Sequence, residues 1–380
     1  MKKIAIFSLL IILCCTNTIT GAAVPVPETK CPSALLMEFS TGEILYEKNS
    51  HERLPMASVT KIMTMLLAME AIDNGRFSLD DMVTGSAYAK SMGGSTIFLD
   101  EGEQLSVRDI LKGIAVASGN DAAVAMGEHI AGSPEAFVEM MNQRAAELGM
   151  NDTHFVNCNG LDADNHYSSA YDIALMSREL MKHEDIFQFT GIWMDTLRNG
   201  QFTLSNTNKL IRFYQGATGL KTGSTDKAKF CISATAKRDN MHLIAVIMAS
   251  PTSKERNADA STLLNFGFAN YAIADIAKKG EPEGELHIDK SSRDPVNVVY
   301  GDDMSMLYTK SERPETNKNI IWESNIKAPK AKGEKAGEMV ITCDGTEIGR
   351  CDLVFENDVP ALTFGGLMNK LWGYWLGNVV

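Results

Sequence analysis

From about Ser33 to Ala274, apolar residues follow the two-residue period of strands and the 3.6-residue period of helices in turn. Two apolar runs on either side of Thr41-Gly42 predict a β-hairpin over residues 34–46. The spacing further predicts helices at Val59–Ala68, at two segments within Ile110–Ile130 that Ser118-Gly119-Asn120 separates, at Glu135–Leu148, at Ser169–Met181 and at Ala260–Ala272, and buried strands at Phe230–Ala236 and His242–Met248. This mixture predicts a layered α/β or α+β domain.

The composition changes at residues 278–284, where Lys, Gly, Glu and Pro interrupt the apolar pattern. Short strand patterns follow, and turns rich in Asp, Gly and Pro separate them. These strands are predicted at Val296–Tyr300, Met304–Tyr308, Ile320–Trp322, Glu338–Thr342 and Leu353–Phe355. The sequence therefore predicts a first domain over residues 24–277 and a small all-β domain over residues 278–360.

The C-terminal segment, residues 361–380, predicts an amphipathic helix. Its apolar positions recur at helical spacing and are Leu362, Phe364, Leu367, Met368, Leu371, Trp372, Trp375 and Leu376. Tryptophans on one apolar face are typical of a helix at a lipid interface, so we expect this segment to lie on a membrane surface. The alternative is a helix packed on its own domain, because Lys370 alone adds little attraction to anionic lipid.

The N-terminal segment has the pattern of a secretory signal. Lys2-Lys3 precedes an apolar run that ends at Cys15, and small or polar residues follow up to Ala22-Ala23. The run is shorter than the ~20 residues that span a bilayer. A basic start before a short apolar segment is typical of a cleaved signal peptide. Residues 1–23 are therefore predicted to direct export, with cleavage after Ala22 or Ala23.

Composition and charge limit the function classes. The chain has 380 residues, 44% of them hydrophobic and 22% charged, which is enough for a large core. A net charge of -12 disfavours nucleic acid as a partner, because its phosphates attract Lys and Arg. The sequence contains no G-x-x-x-x-G-K-[ST], G-x-G-x-x-G or H-E-x-x-H motif, and its histidines are dispersed. We therefore predict neither a metal nor a cofactor.

The cysteines do not predict a disulfide framework. After export the chain would keep Cys31, Cys158, Cys231, Cys343 and Cys351, whose spacing fits no metal site. A tight hairpin predicted at Asp344-Gly345 would place Cys343 opposite Thr346 and Cys351 opposite Glu338, so the two cysteines would not face each other. All five are predicted to remain thiols, most of them small apolar fillers.

Three short motifs carry candidate chemistry. Ser58-Val59-Thr60-Lys61 is an S-x-x-K, Ser118-Gly119-Asn120 is an S-x-N and Lys221-Thr222-Gly223 is a K-T-G. S-x-x-K also occurs at Ser224–Lys227 and Ser324–Lys327, so it says little alone, whereas S-x-N and K-T-G each occur once. In this order the three motifs are typical of serine acyltransferases that interact with penicillin.

The spacing of the first motif suits a nucleophile and its base. Positions i and i+3 share a helix face, so Lys61 would lie one turn beyond Ser58. A serine needs a base at neutral pH, and a lysine can serve when burial and neighbouring cations lower its pKa. Lys221 is a candidate for such a cation. Ser58 would also begin its helix, where backbone N–H groups and the helix dipole favour a developing oxyanion.

Together these residues resemble the low-molecular-weight penicillin-binding proteins, which are D-alanyl-D-alanine carboxypeptidases of the penicillin-binding protein 5 type. The resemblance covers nearly the whole chain and includes, besides the motifs, Ser33–Asn49, Thr153–Phe155, Gly160–Ala163, Tyr167–Ala170 and Lys221–Ala228. It implies an α+β, β-lactamase- and transpeptidase-like catalytic domain with helices around an antiparallel sheet, then a small β-rich domain and a terminal membrane helix. It also implies that the substrate is a peptidoglycan stem peptide ending in D-Ala-D-Ala. β-Lactam antibiotics would be covalent inhibitors, and the enzyme would lie on the outer face of the cytoplasmic membrane.

The resemblance also implies the catalytic roles. Ser58 would be the acylated nucleophile and Lys61 its proton acceptor. Ser118 would relay a proton to the leaving D-alanine. The backbone N–H groups of Ser58 and Ser224 would form the oxyanion hole. Some relatives have a histidine where this chain has Ser224, so the hole would survive but the pH dependence could differ.

The remaining implied roles concern substrate binding. Asn120 would hydrogen-bond the substrate amide. Lys221 together with Thr222 would hold the region of the terminal carboxylate, beside Ser224. Arg256 is a candidate second cation for that carboxylate, although it lies outside a firm motif.

Two alternatives stay open at the level of sequence. A serine β-lactamase of this motif order uses an added glutamate in an E-x-x-x-N element, and Glu147–Asn151 fits by its letters. Glu147, however, ends a helical pattern, and Asn151 leads directly into the Thr153–Phe155 segment of the resemblance. A penicillin sensor without turnover would keep acylation of Ser58. Release of D-alanine from a peptide ending in D-Ala-D-Ala would distinguish these functions.

Overall fold

The structure, a computed structural model, describes residues 26–312, 315–343 and 345–375, with the side chains of all but Lys370, Gly373 and Tyr374. The predicted signal segment, residues 1–23, lies outside the described residues, and so does Leu376 of the predicted terminal helix. The α-helices are α1 (Lys61–Asp73), α2 (Ala87–Lys90), α3 (Val107–Ala115), α4 (Asn120–Ala131), α5 (Pro134–Glu147), α6 (Ala170–Met181), α7 (Phe187–Thr190), α8 (Leu210–Phe213), α9 (Ser253–Asn270) and α10 (Phe364–Trp375).

The strands occur along the whole described chain. They are β1 (Ser33–Glu38), β2 (Ile44–Lys48), β3 (Met82–Thr84), β4 (Gln104–Ser106), β5 (Met194–Leu197), β6 (Phe202–Ser205), β7 (Ala217–Thr225), β8 (Lys229–Arg238), β9 (Met241–Ser250), β10 (Tyr271–Ala277), β11 (Pro282–Leu286), β12 (Val296–Tyr300), β13 (Met304–Thr309), β14 (Thr316–Trp322), β15 (Lys335–Cys343) and β16 (Thr346–Phe355). Short 3₁₀ helices lie at Ala57–Thr60 and Glu184–Ile186.

An antiparallel sheet with the strand order β2-β1-β9-β8-β7 forms the centre of the first domain. Alternate residues of β9 belong to two different apolar cores, because successive side chains of a strand point to opposite faces. Ile244 and Val246 pack into the core that contains α1 and α6, and Leu243 and Ala245 pack into the core that contains α9. Helices thus cover both faces of the sheet, which confirms the predicted mixed helix and sheet domain.

The predicted elements of this domain are largely present. The β1–β2 hairpin, helix α6 and strands β8 and β9 occur where the pattern predicts them. The side chain of Ser169 accepts from the backbone N–H of Asp172 at 3.1 Å and so caps α6, as predicted. The predicted helix at Ala260–Ala272 is wrong at both ends. Helix α9 already begins at Ser253, where Thr252 caps it by accepting from the N–H of Glu255, and residues from Tyr271 onward form β10.

The second domain is an all-β unit, as predicted. Its sheet has the order β11-β12-β16-β15-β14, and its core includes Val298, Met339, Leu353 and Phe355. Strand β10 pairs with β13, so the strand that leaves α9 is hydrogen-bonded to the β-rich part of the chain. The junction between the domains is therefore a paired strand.

The register of the last hairpin corrects one prediction. Cys343 stands opposite Thr346 as predicted, but Cys351 stands opposite Met339 and not opposite Glu338. The pairing shifts by one residue between Ile341 and Thr342, and such a bulge moves all later residues to the other face. Cys351 is therefore buried. Cys31, Cys158, Cys231 and Cys351 are buried free thiols, which confirms the prediction for these four residues.

Helix α10 ends the described chain and carries large apolar side chains. Phe364 is 79% exposed and Trp375 is 87% exposed, and Leu371 and Trp372 are exposed as well. Among the helices within the described ranges, none is long and apolar enough to cross a membrane. Helix α10 thus presents an apolar surface to solvent.

Candidate active site

The first motif forms a tight turn that runs directly into a buried helix. Ser58 lies in the 3₁₀ helix Ala57–Thr60, and Lys61 is the first residue of α1. The Nζ atom of Lys61 lies 2.9 Å from Oγ of Ser58, so the predicted pairing of the two side chains is present. Ala57, just before the serine, has a φ of 49°, which an alanine rarely adopts. We name residues Ala57–Lys61 the nucleophile turn.

Lys61 is held by neutral oxygen atoms. Its side chain is 0% exposed, and its Nζ donates to Oδ1 of Asn120 and to the carbonyl of Asn159, each at 2.6 Å. Burial lowers the pKa of Lys61 to about 7, although the nearby Cys158 and Asp121 act in the opposite direction. A lysine with this pKa is in part a neutral amine at neutral pH and can accept a proton from a serine hydroxyl.

The second motif is fixed by a buried carboxylate. Asp121 is 1% exposed and accepts from the backbone N–H groups of Ile97 and Leu99 at 2.9 to 3.0 Å. These bonds join the start of α4 to the segment 97–99. Just before α4, Ser118 adopts a φ of 63° in the left-handed region and is nearly buried. Nδ2 of Asn120 donates to the carbonyl of Gly93 at 2.7 Å, which orients the amide towards Lys61.

The third motif lies on β7, and Gly223 allows this strand to approach the nucleophile turn. A Cβ at position 223 would lie 2.8 Å from the carbonyl oxygen of Met56 and 2.8 Å from the backbone nitrogen of Ser58. Any side chain would therefore force the strand and the turn apart. Glycine is required here because two backbones pass in close contact.

Lys221 is a buried residue of β7 and does not line the cavity described below. It is 1% exposed, and its Nζ donates to the carbonyl of Thr222 at 2.8 Å. Burial lowers the pKa of Lys221 well below the ordinary lysine value, and the positive charges of Lys61 and Arg256 lower it further. The predicted neighbour relation between Lys221 and Lys61 is thus present as an electrostatic interaction.

These elements surround a cavity of about 210 Å³. Of the predicted site residues, Ser58, Ser118, Thr222, Ser224 and Arg256 line it. Lys61, Asn120 and Lys221 are buried next to the lining residues, and Lys61 and Asn120 reach the site through the contacts given above. A larger cavity of about 900 Å³ includes Thr218, His242 and Asp275, and no residue of the three motifs lines it. The structure therefore brings the three motifs together at one site.

Arg256, which was predicted as a substrate-binding cation without support from a motif, lines the same cavity. It is 5% exposed, it belongs to α9, and its Nε and Nη2 atoms donate to Oδ1 of Asn257. Burial lowers its pKa to about 10, so Arg256 remains a cation at neutral pH. It is a fixed positive charge in the wall of the cavity.

Sequence reasoning missed several residues of the site. Further lining residues are Ser95, Thr207, Lys209, Phe230, Ser253 and Asn257. Thr207 accepts from Oγ1 of Thr222 at 2.7 Å. Asn159 acts through its backbone carbonyl, which no residue type signals. Its position beside Gly160, in a segment of the family resemblance, was the one available signal.

The glutamate of the β-lactamase alternative lies away from this cavity. Glu147 is the last residue of α5, and its carboxylate binds Gln143 at 3.0 Å and Arg144 at 3.2 Å. It is not among the lining residues. The structure therefore gives Glu147 no path to an ester on Ser58.

A sequence profile described as D-alanyl-D-alanine carboxypeptidase, Peptidase S11, matches residues 20–252 and so contains all three motifs. The chain belongs to the D-alanyl-D-alanine carboxypeptidase family. A second profile, the C-terminal domain of penicillin-binding protein 5, matches residues 271–361, the β-rich part of this carboxypeptidase. Family membership confirms the resemblance drawn from the motifs and makes the chain a serine-type hydrolase.

Named relatives of this carboxypeptidase support the assignment over most of its length. The D-alanyl-D-alanine carboxypeptidase DacF of Bacillus subtilis is 44% identical over 347 residues, which are 90% of this chain and 89% of DacF. The crystal structure of penicillin-binding protein 5 from Haemophilus influenzae has 32% identity and a TM-score of 0.74, covering 89% of this chain and 99% of that one. Penicillin-binding protein D2 from Listeria monocytogenes, in a cefotaxime-bound form, has 33% identity and a TM-score of 0.59, covering 64% and 99%.

Proposed function

We propose that this carboxypeptidase removes the terminal D-alanine of peptidoglycan stem peptides through an ester on Ser58. The observation that carries the proposal is the 2.9 Å contact between Oγ of Ser58 and Nζ of Lys61, whose pKa is lowered to about 7. A nucleophile needs a base within hydrogen-bond distance that is unprotonated at the working pH. This pair meets both conditions.

In the proposed acylation step, Oγ of Ser58 forms a bond to the carbonyl carbon of the D-Ala-D-Ala peptide bond. The proton of the hydroxyl passes to the neutral amine of Lys61. The carbon–nitrogen bond then breaks, and the leaving D-alanine takes a proton from Lys61 through the hydroxyl of Ser118. Water hydrolyses the ester and restores the Ser58 hydroxyl.

The oxyanion of the tetrahedral intermediate is proposed to lie between the backbone N–H groups of Ser58 and Ser224. Gly223 supports this assignment, because its Cα lies so close to the turn that a Cβ would be 2.8 Å from the nitrogen of Ser58. Backbone N–H groups fixed before the reaction stabilise charge without reorganisation. The side chain of Ser224 is not needed for this role.

Substrate recognition is proposed to use Asn120 for the substrate amide and the opposite wall for the carboxylate. One N–H of the Asn120 amide donates to Gly93, and we assign the second to the substrate. Thr222, Ser224 and Arg256 line the cavity and would contact the terminal carboxylate. Lys221 would act from beneath Thr222, because an arriving anion favours its protonated form.

We infer that β-lactams acylate the same serine. Penicillin-binding protein D2 from Listeria monocytogenes, which has a cefotaxime-bound structure, supports this inference, because it is 33% identical to this chain and covers 64% of it. A strained cyclic amide presents the same carbonyl to Ser58 as the peptide does. Its amine remains tethered after ring opening, so the ester would persist.

The experiment follows D-alanine release from a peptide ending in D-Ala-D-Ala, alongside covalent labelling by penicillin. The wild type should release D-alanine, and Ser58→Ala should neither release it nor become labelled. Ser95→Ala is the matched control, because it removes another serine hydroxyl from the wall of the same cavity. Labelling of Ser58→Ala at full stoichiometry would contradict the assignment. Labelling of the wild type without D-alanine release would indicate a sensor.

For the whole chain we propose export by residues 1–23, a catalytic domain over 24–277, a β-rich domain over 278–360 and a membrane-associated helix over 361–380, on the outer face of the cytoplasmic membrane. Exposed Phe364, Leu371, Trp372 and Trp375 support the last point. Burial of their apolar surface in lipid gains roughly 25 cal/mol per Å². The attachment would then be mainly hydrophobic.

Deletion of residues 362–380 tests the membrane proposal. The intact mature protein should stay with membranes in a high-salt wash and leave them in detergent, because salt screens charge but not apolar contact. The shortened protein should be released and should still cleave soluble peptides. Release of the intact protein by salt, or loss of activity on shortening, would contradict the proposal.

A further inference from the structure

A buried chain of hydrogen bonds supports the nucleophile turn and includes no residue of the cavity lining. Thr60 lies between the two reacting residues in sequence and is 0% exposed. Its Oγ1 donates to the carbonyl of Ala57 at 2.8 Å and lies 2.8 Å from Nε2 of His166. The backbone N–H of Val156 donates to Nδ1 of the same imidazole at 3.0 Å. His166 therefore connects a distant loop to the turn that carries Ser58.

The partners determine the direction of each proton. Because Nδ1 of His166 accepts from Val156, a neutral imidazole carries its proton on Nε2 and donates it to Thr60. The Thr60 hydroxyl then has its own proton free for the carbonyl of Ala57. Burial lowers the pKa of His166 to about 4, with His154 acting in the same direction and Asp162 opposing, so the ring is neutral at neutral pH.

The turn at the end of this chain is strained and tightly packed. Ala57 has a φ of 49°, and such a conformation persists only when its surroundings hold it. Gly160 packs against it so closely that a Cβ there would lie 2.0 Å from the carbonyl oxygen of Ala57. Its neighbour Asn159 gives the carbonyl that accepts from Lys61. The loop Val156–His166 thus contacts both the turn and the base.

We infer that Thr60 and His166 are positioning residues for acylation, because they hold the strained turn at Ala57 against the loop Val156–His166. This inference rests on the proposed function, since it concerns the attack by Ser58. Neither residue lines the cavity. If the turn relaxes, Ser58 moves away from its base, and the Asn159 carbonyl and the burial around Lys61 loosen with it. Misplacement of reacting groups by about 1 Å can cost about a hundredfold in rate.

The groups that influence the pKa of Lys61 belong to several helices, strands and loops. Asp121 and Cys158 favour its charged form, and Lys221 is the neighbouring cation. None of these changes in the variants below. A shift in the titration of the acylation rate therefore reports a change in the burial or hydrogen bonding of Lys61.

Thr60→Val tests the inference, since it keeps the shape of the side chain and removes the hydroxyl. The acylation rate with penicillin should fall about tenfold or more. The pH at which this rate is half-maximal should rise above about 7, because a less buried lysine has a higher pKa. The dissociation constant of the non-covalent complex should stay unchanged. Thr60→Ser restores the hydroxyl and should restore both the rate and the titration.

Thr64→Val is the matched control. Thr64 is equally buried, lies one turn further along α1, and donates to the carbonyl of Cys158 at 2.7 Å, in the same loop. The substitution Thr64→Val therefore removes one buried hydrogen bond of a hydroxyl group but changes no residue of the nucleophile turn. Both valine variants should unfold at a lower temperature, but the control should keep the wild-type acylation rate and titration. An equal loss in the control, or none in Thr60→Val, would overturn the inference.

His166→Gln and His166→Leu test the histidine end of the hydrogen-bond chain that supports the nucleophile turn. Gln offers a donor to Thr60 and an acceptor to Val156, so it should retain most of the rate, whereas Leu should behave like Thr60→Val. If His166→Leu does not fold, the Thr60 variants alone decide. Mass spectrometry of the wild-type protein labelled with penicillin distinguishes failure of the proposed function from failure of the positioning role. Label at a residue other than Ser58 refutes the proposed function, whereas label at Ser58 with no effect of Thr60→Val refutes only the positioning role.

Discussion

Lys61 in the catalytic domain and Lys335 in the β domain both bind oxygen atoms at 2.6 to 2.9 Å, but in opposite environments. Lys61 is fully buried, and its partners are a serine hydroxyl, an amide oxygen and a backbone carbonyl, all uncharged. Lys335 lies at the surface, where Glu338 at 2.6 Å and Asp352 at 2.7 Å bind its ammonium. Burial lowers the pKa of Lys61 to about 7, whereas the two carboxylates raise the pKa of Lys335.

The difference shows what sets the direction of a lysine's pKa shift. Short hydrogen bonds occur in both regions, so the distance to a partner does not decide. What decides is whether water or a carboxylate stabilises the ammonium form. In the catalytic domain, Lys61 is stabilised by neither water nor a carboxylate, because it is buried among uncharged oxygen atoms. The β domain supplies both to Lys335, and its ion pairs are surface contacts of small energetic value.

The largest expected effect comes from replacing the buried lysine. Lys61→Met keeps a long unbranched side chain and removes the amine that is proposed as the base, so acylation by penicillin should slow by about a thousandfold. The second-order rate constant of labelling measures this effect. Near-normal labelling would show that another group accepts the proton of Ser58.

The pH dependence should separate the two lysines next. Only the neutral amine of Lys61 can accept a proton, so the acylation rate should fall about tenfold for each pH unit below about 7 and reach a plateau above it. Lys335 has a raised pKa and stays charged over the same range. A rate that is flat from pH 5 to pH 8, a range chosen to bracket about 7, would contradict the assignment of Lys61 as base.

The free energy of unfolding should also depend on the titration of Lys61, and the lowered pKa determines whether it rises or falls with pH. The folded pKa of Lys61 is about 7 and its ordinary value is 10.5, so between these values the unfolded chain binds more protons. The free energy of unfolding of the wild type, relative to Lys61→Met, should therefore rise with pH in this window, by up to roughly 1.4 kcal/mol per pH unit. Denaturant unfolding at several pH values measures it. A difference that falls with rising pH would refute the lowered pKa.

The smallest expected effect is that of Lys335→Met. It removes two surface ion pairs from β15, and exposed pairs contribute little in water. D-alanine release should be unchanged, and the unfolding midpoint should lie within the scatter of repeat measurements. A clear loss of activity would show that the β domain acts on the catalytic site.

The sequence was sufficient for the parts of the site that depend on side-chain identity. S-x-x-K, S-x-N and K-T-G are read directly, and the structure places all three around one cavity. Arg256 lies in no motif, but its positive charge made it a candidate partner for the substrate carboxylate. Asn159 escaped prediction because its backbone carbonyl binds Lys61, and every residue type has one. The Thr60–His166 contact joins residues 106 positions apart, which spacing cannot reveal.

The fold shows the same limit. Periodicity predicted the β1–β2 hairpin and the central strands, because each has a clear apolar face. The wrong partner for Cys351 came from a bulge, which inserts one residue without a compositional signal. The early start of α9 did have a signal, the Thr252 cap with Glu255, in a stretch that is too polar for apolar periodicity to mark.

The close approach at Gly223 bears on how this protein could acquire drug resistance. Any side chain there would meet the carbonyl oxygen of Met56 and the nitrogen of Ser58 at 2.8 Å. The collision is with the protein's own backbone, so no choice of side chain can exclude the drug and spare the nucleophile. If β-lactams acylate Ser58 as proposed, substitutions that weaken this reaction without a backbone collision are expected among the side chains of the cavity wall, such as Ser224 and Phe230.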